Sequence, residues 1–203
     1  KYSIGVAGKY LLHVRLRKQA IGLPGSPFQL TVDPGPAYAL SSSLPYDPLD
    51  SEVGEPIIIT MKTSDRIGNP CQTGGAQVDC WVGKNGKDNK EVKIKVRDMG
   101  DGSYQLQLES TQPGELDVSV KVQGEHVVNS PTTVRFHSTV PVFDKSLVIE
   151  GIGLHNAVVG ERSTIVFSLN DQYENKAVPS AEYRATFRCY IAFIKQSQLT
   201  EVV

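Results

Sequence analysis

Apolar and polar residues alternate along most of the chain. Val78, Cys80 and Val82 form one apolar set, Val92, Ile94 and Val96 a second, and Tyr104, Leu106 and Leu108 a third. A two-residue period places every apolar side chain of a set on one face of an extended strand, so each set predicts a strand covered on one side. Glycine- and proline-marked segments separate the sets: residues 65–70 with Gly74 and Gly75, residues 98–102, and Gln112-Pro113-Gly114. Glycine permits positive φ and proline fixes it, so these segments are read as turns. After Gly114 the alternation resumes as Leu116, Val118, Val120 and Val122, and a turn over residues 124–131 leads into a last strand over 132–136.

Upstream, Tyr10, Leu12, Val14 and Leu16 share one face, and Phe28-Gln29-Leu30-Thr31-Val32 follows a Pro/Gly turn, so residues 8–32 read as a hairpin. Asp33-Pro34-Gly35-Pro36 cannot continue a ladder and marks a boundary between packed units. Beyond it, strands are expected over 37–43 and over 57–63, the latter sending Ile59, Met61 and Thr63 inward. Residues 37–137 then hold seven strands, which suits an all-β Greek-key sandwich of about 100 residues.

The pattern also repeats. Val53-Gly54-Glu55 returns as Val159-Gly160-Glu161, and Asp65 with Asn69 returns as Asp171 with Asn175, at one offset of 106. Ile59, Met61 and Thr63 return at that offset as Ile165, Phe167 and Leu169, and Gly8 maps to Gly114. Ser26-Pro27 maps to Ser130-Pro131 at 104, a two-residue indel in the turn. Repetition at a fixed period is the mark of a tandem array. The chain is therefore expected to hold the C-terminal part of one repeat (1–33), one complete repeat (37–137) and the N-terminal part of another with an atypical end (140–203).

Charge is nearly balanced, 21 basic against 22 acidic residues, so nothing favours nucleic acid or an anionic membrane surface as a partner. No run of 18 apolar residues occurs, and the start lacks both an apolar leader and an initiator methionine, so the sequence is expected to be a fragment of a longer protein. Three cysteines, Cys71, Cys80 and Cys189, fit no metal spacing or disulfide framework, and no Asn-X-Ser/Thr acceptor is present. Both facts lean towards a reducing compartment. A Cys71–Cys80 bridge stays open as the alternative.

Candidate chemistry is sparse, and no catalytic, metal or cofactor-binding residue is expected. Asp98 and Asp101 carry the acidic, glycine-rich look of a calcium loop but lack its further oxygen ligands, so a β-turn is the reading. His13, His126, His137 and His155 are dispersed, with no plausible nucleophile beside any of them. Lys84-Asn85-Gly86-Lys87-Asp88-Asn89-Lys90 lacks a phosphate-cradle consensus and reads as a solvated hairpin tip. Trp81 falls on the face opposite Val78, Cys80 and Val82, where an aromatic is either tucked under a neighbour or open to a partner.

The ordered set Gly54-Glu55-Pro56, Asp65 with Gly68-Asn69, Gly74-Gly75, Asp101-Gly102-Ser103-Tyr104, Pro113-Gly114 and Ser130-Pro131, with Gly25-Ser26-Pro27-Phe28 ahead of the boundary, resembles the immunoglobulin-like repeats of filamins. The resemblance covers residues 8 to about 178; the segment after 180 departs from it, as do Met99 and the Asn129 to Thr132 stretch. It implies tandem immunoglobulin-like sandwiches without enzymatic activity, in a cytoplasmic, cytoskeletal actin cross-linker. Actin binding, and any homodimerisation, would lie elsewhere in the parent chain. It further implies that partner peptides add as a β-strand between the third and fourth strands, here Gln77, Val78, Asp79, Cys80, Trp81 and Val82 against Glu91, Val92, Lys93, Ile94, Lys95 and Val96. An unpaired strand edge is a physical template for such addition. Lys93 and Lys95 then either guard the edge against aggregation or favour acidic partners. The alternative is the ectodomain of a membrane-anchored, gamete-type adhesion protein, since filamin-like repeats also occur there.

Overall fold

A computed structural model describes residues 1–16, 22–46, 49–84, 87–88, 92–151, 153, 155–177, 191–195 and 198–202. The chain is all-β and divides into two compact units, Lys1–His137 and Ser138–Val203.

In the first unit, β1 (Gly8–Leu12) pairs antiparallel with β2 (Phe28–Val32), Gly8 opposite Val32. A sandwich follows, built from β3 (Leu49–Glu52), β4 (Ile57–Lys62), β5 (Val78–Lys84), β6 (Lys87–Asp88), β7 (Lys93–Asp98), β8 (Ser103–Glu109), β9 (Gly114–Val122), β10 (Glu125–His126) and β11 (Thr132–His137). One sheet runs β4-β8-β7; the other runs β3-β11-β9-β5-β6, with β10 attached to β9. Every pairing is antiparallel except β3 on β11. The division of sequential strands between two sheets is that of an immunoglobulin-like sandwich.

The period-two pattern explains the core. Ile57, Ile59 and Met61 from β4, Tyr104, Leu106 and Leu108 from β8, and Leu116, Val118, Val120 and Val122 from β9 all face inward and are buried. Val134 and Phe136 close the layer from β11. Each such side chain contributes about 1.5–3 kcal/mol by leaving water, which is what holds the two sheets together.

The strand expected over 37–43 does not form. A 3-10 turn, Ala39–Ser41, occupies that stretch, because the Ser42 hydroxyl takes over the bonding: it donates to the Tyr38 carbonyl (2.8 Å) and accepts from the Ser64 amide (3.1 Å). The sheet position is filled instead by β3, whose Leu49 lies opposite Val134.

The first unit contains its own internal copy. The Val14 amide donates to Ser26 Oγ (2.9 Å) as the Val120 amide donates to Ser130 Oγ (2.8 Å). The Ser26 amide donates to Leu23 O as that of Ser130 does to Val127 O. The β1–β2 hairpin thus reproduces the β9–β11 pairing at matched positions.

In the second unit, β12 (Val142–Glu150) pairs with β13 (Val166–Asn170), and β14 (Ile191–Lys195) pairs with β15 (Gln198–Val202). Ser146 Oγ donates to Val142 O and accepts from the Asn170 amide, the pattern of Ser42. Ile165 and Phe167, the counterparts of Ile59 and Met61, keep 38% and 39% of their surface exposed, and Leu169 is half-buried. Alternation makes one face apolar, but burial requires a covering sheet.

Candidate functional site

The third- and fourth-strand groove falls between β5 and β7, one from each sheet, whose Cα atoms approach within 8 Å. On one side β5 is laddered to β9 from Val78 to Gly83; on the other, among the described residues, it meets only β6, at Gly83 and Lys84. β7 is laddered to β8 along its whole length and pairs with no second strand among the described residues. Two strand edges therefore face one opening.

The floor of that opening is apolar and graded. Next to the turn that joins β5 to β7, Val82 and Val92 are buried, at 1% and 6% exposure. Cys80 and Ile94 are half-buried, and at the far end Val78 is half-buried while Val96 is 41% exposed. Sequence periodicity placed Ile94 and Val96 inward, and the structure turns that expectation into a wedge open on one side. Burial in this apolar setting pushes the Cys80 thiol up to about 11, so it stays protonated and non-nucleophilic near neutrality. Cys71 and Cys80 are both free thiols, so the bridge between them does not form.

The open end carries a tie between the sheets. The Gly75 amide donates to Asp98 Oδ2 (2.6 Å) and the Gly100 amide to Asp98 Oδ1 (2.8 Å). These two N–H donors, Gly100 first, hold the Asp98 carboxyl below its usual range. A Cβ on Gly74 would collide with the same carboxylate, so the backbone approaches where only glycine fits. One residue on, the Ala76 amide donates to the hydroxyl of buried Tyr104 (2.8 Å). Asp98 was legible only as a turn residue; the adjacent glycines 74 and 75 were the signal for the close approach. Asp101, read with it as a turn carboxylate, accepts from the Ser103 amide (2.9 Å).

The remaining predicted residues distribute around the groove. Gln77 precedes β5 and donates through Nε2 to Asp79 Oδ2 (3.1 Å), both exposed. Lys93 and Lys95 are exposed on the outer face of β7. Glu91 lies outside the described residues. Trp81 is half-buried on the outer face of the β5–β9 sheet, edge-on to His126 (5.4 Å between ring centroids) with Lys121 Nζ over its ring (5.4 Å). It belongs to a surface cluster with its sheet neighbours and does not line the floor. Among the described residues no group of three or more His, Cys, Asp or Glu is placed to hold a metal ion. None of their helices is long and apolar enough to cross a membrane.

Comparison with known proteins agrees with this architecture. Residues 32–133 match the family model described as the Filamin/ABP280 repeat. Filamin-C of Rattus norvegicus is 30% identical over 158 residues, 75% of this chain and 5% of the relative's own length. Tripartite motif-containing protein 3 of Rattus norvegicus is 32% identical over 83 residues, 41% of this chain and 11% of that protein. The chain thus spans a small fraction of the curated relatives it matches. Among solved structures, the Escherichia coli adhesin FdeC superposes with a TM-score of 0.60 at 18% identity, covering 84% of this chain and 52% of that one. At that identity the likeness is one of fold.

Proposed function

The chain belongs to the Filamin/ABP280 repeat family, and we propose that it is a rod segment of a filamin-like cytoskeletal actin cross-linker that docks partner peptides by β-strand addition between β5 and β7. Membership makes it a structural and protein-interaction domain. We infer the finer reading, repeats over 1–33, 37–137 and 140–203, from the internal recurrence at 106 residues, and cytoplasmic placement with an actin-binding domain elsewhere in the parent chain from the family.

The observation that carries the docking reading is the coincidence of a graded apolar floor, from buried Val82 to 41%-exposed Val96, with two strand edges that, among the described residues, are unladdered but for the β6 pairs at Gly83 and Lys84. An added strand satisfies its backbone groups on an edge, and its alternate side chains enter the wedge. The free thiols at Cys71 and Cys80 remove the bridge that would have suited an adhesion ectodomain.

The test is selection of peptides from a random display library on the full chain, followed by the variant Val96→Glu, which places a charge in the open end without disturbing a buried residue. Selected peptides are expected to slow amide exchange along β5 or β7 and to lose at least roughly tenfold in affinity for a Val96→Glu chain of unchanged melting temperature. Peptides that bind both chains equally, or that protect amides elsewhere, overturn the groove.

A further inference from the structure

The loop between β4 and β5 carries a second, differently built contact. Asp65 is buried, and Oδ1 of its carboxylate accepts from the Ile67 (3.0 Å) and Asn69 (2.9 Å) amides, while Oδ2 accepts from Asn69 Nδ2 (2.8 Å). That same Oδ2 accepts from the Gly35 amide in the segment leading out of β2 (2.9 Å). The Asn69 side chain, held in this way, reaches the segment that enters β1 at the same open end of the β1–β2 hairpin. Its Oδ1 accepts from the Ala7 amide (3.0 Å) and its Nδ2 donates to the Gly5 carbonyl (3.1 Å). A carboxamide that accepts from residue i+2 and donates to residue i reproduces the bonding of a neighbouring strand, so it reads backbone and is indifferent to side chains. Ile67 covers the spot, its Cδ1 lying 3.9 Å from where a Gly5 Cβ would sit.

We propose that residues 65–69 are a clasp that fixes the β1–β2 hairpin on the sandwich, with Asp65 gripping the chain as it leaves the hairpin and Asn69 gripping it as it enters. The segment 33–36 is then a braced joint, because Pro34 and Pro36 each lock φ and Gly35 between them is bonded to Asp65. The second unit contains the same loop in every internal detail. Asp171 Oδ1 accepts from the Tyr173 and Asn175 amides (both 2.9 Å), its Oδ2 accepts from Asn175 Nδ2 (3.1 Å), and the Thr139 amide takes the place of that of Gly35 (3.2 Å). The loop's internal bonds and the carboxylate's grip on the incoming segment recur in both places, so that part of the device is tied to the repeat and not to one local sequence. The clasp is independent of the β5–β7 groove.

Nitrogen relaxation on the full chain tests it. In the unsubstituted protein, amides of β1 and β2 are expected to share one tumbling time with those of β8 and β9. Asn69→Ala removes both backbone contacts and one donor to Asp65 Oδ2, but leaves the backbone donors to the Asp65 carboxylate and the core. It is expected to shorten the local tumbling time of β1 and β2, and to raise Gly35 amide exchange by roughly tenfold, while β8 and β9 keep their dispersion. Ala7→Pro, which deletes the N–H that Asn69 accepts and also fixes φ at that position without touching Asp65, should move the same readouts in the same direction, and the two substitutions together should do little more than either alone. Shared tumbling retained in both variants, or separate tumbling already present in the unsubstituted chain, overturns the clasp. Loss of dispersion in β8 and β9 with Asn69→Ala also overturns it, because the loop would then be holding the sandwich itself.

Discussion

β4 and β7 are the two outer strands of one sheet, both laddered to β8 and both patterned apolar on the inward face, yet they differ in what covers them. On β4 the alternation is complete: Ile57, Ile59 and Met61 are buried, and Ile58, Thr60 and Lys62 are exposed. Val92, just ahead of β7, is buried, but on β7 itself Ile94 is half-covered and Val96 is exposed. The cause lies in the facing sheet. β4 keeps its inward face covered along its whole length, whereas β7 faces β5, which on that side pairs, among the described residues, only with β6 at Gly83 and Lys84. One pattern therefore yields a core where a second sheet overhangs it and an open floor where the second sheet stops.

The sharpest way to break this comparison is to truncate one inward side chain on each strand. Ile59→Ala empties a fully buried site and is expected to cost about 2–5 kcal/mol in denaturant unfolding, whereas Val96→Ala should cost less than about 1 kcal/mol. Equal losses would mean that Val96 is covered in solution. Next in size is Gly74→Val, whose branched side chain must displace the Asp98 carboxylate at the mouth of the groove. It is expected to cost about 1–3 kcal/mol. Gly75→Val meets open space but strains the positive φ of 95°, so it is expected to lose stability by backbone strain without displacing the Asp98 carboxylate, which carboxyl-carbon shifts distinguish from Gly74→Val.

Much of this contrast was legible in the sequence, and its limits are physical. The inward sets on β4, β8 and β9 follow directly from alternation, because each lies under a covering layer. Alternation was silent about overhang, so the exposure of Val96, Ile165 and Phe167 could not be read from it. The 3-10 turn at Ala39–Ser41 was missed because a side-chain hydroxyl, that of Ser42, replaced ladder bonds. The recurrence of Asp65 and Asn69 as Asp171 and Asn175 was visible as spacing. That Asn69 grips the Gly5 and Ala7 backbone was not, since backbone recognition leaves no mark on the residues recognised.

A smaller effect separates the two readings of Lys93 and Lys95. Both project from the outer face of β7 beside an unpaired edge. If they guard that edge, Lys93→Ala with Lys95→Ala should raise the rate of self-association seen by light scattering, and Lys93→Glu with Lys95→Glu should leave it unchanged, because either sign of charge resists stacking. If they select acidic partners, only the glutamate pair reverses the charge preference of peptides captured from the library.

The smallest effect is acid-dependent, and it returns to the two strands, because each leads into a bonded carboxylate: β4 runs on to Asp65, and β7 ends at Asp98. The Asn69 side chain, followed by the Gly35 amide, lowers Asp65 to about 2. Asp98 is also lowered from 3.8, by the Gly100 and Gly75 amides. A carboxylate with a depressed folded-state value adds stability that is present above its unfolded value and is lost as pH falls through the folded one. Both contributions are thus intact above about pH 4 and fade below it. Carboxyl-carbon shifts followed from pH 5 down to about 1.5 are expected to show both carboxylates titrating below the ordinary Asp range, with Gly35 amide exchange rising as Asp65 takes up its proton and Gly75 amide exchange rising as Asp98 does. A carboxylate that titrates at its ordinary value would mean that its amide tie is absent in solution, and the asymmetry between the two edges would then belong to their apolar faces alone.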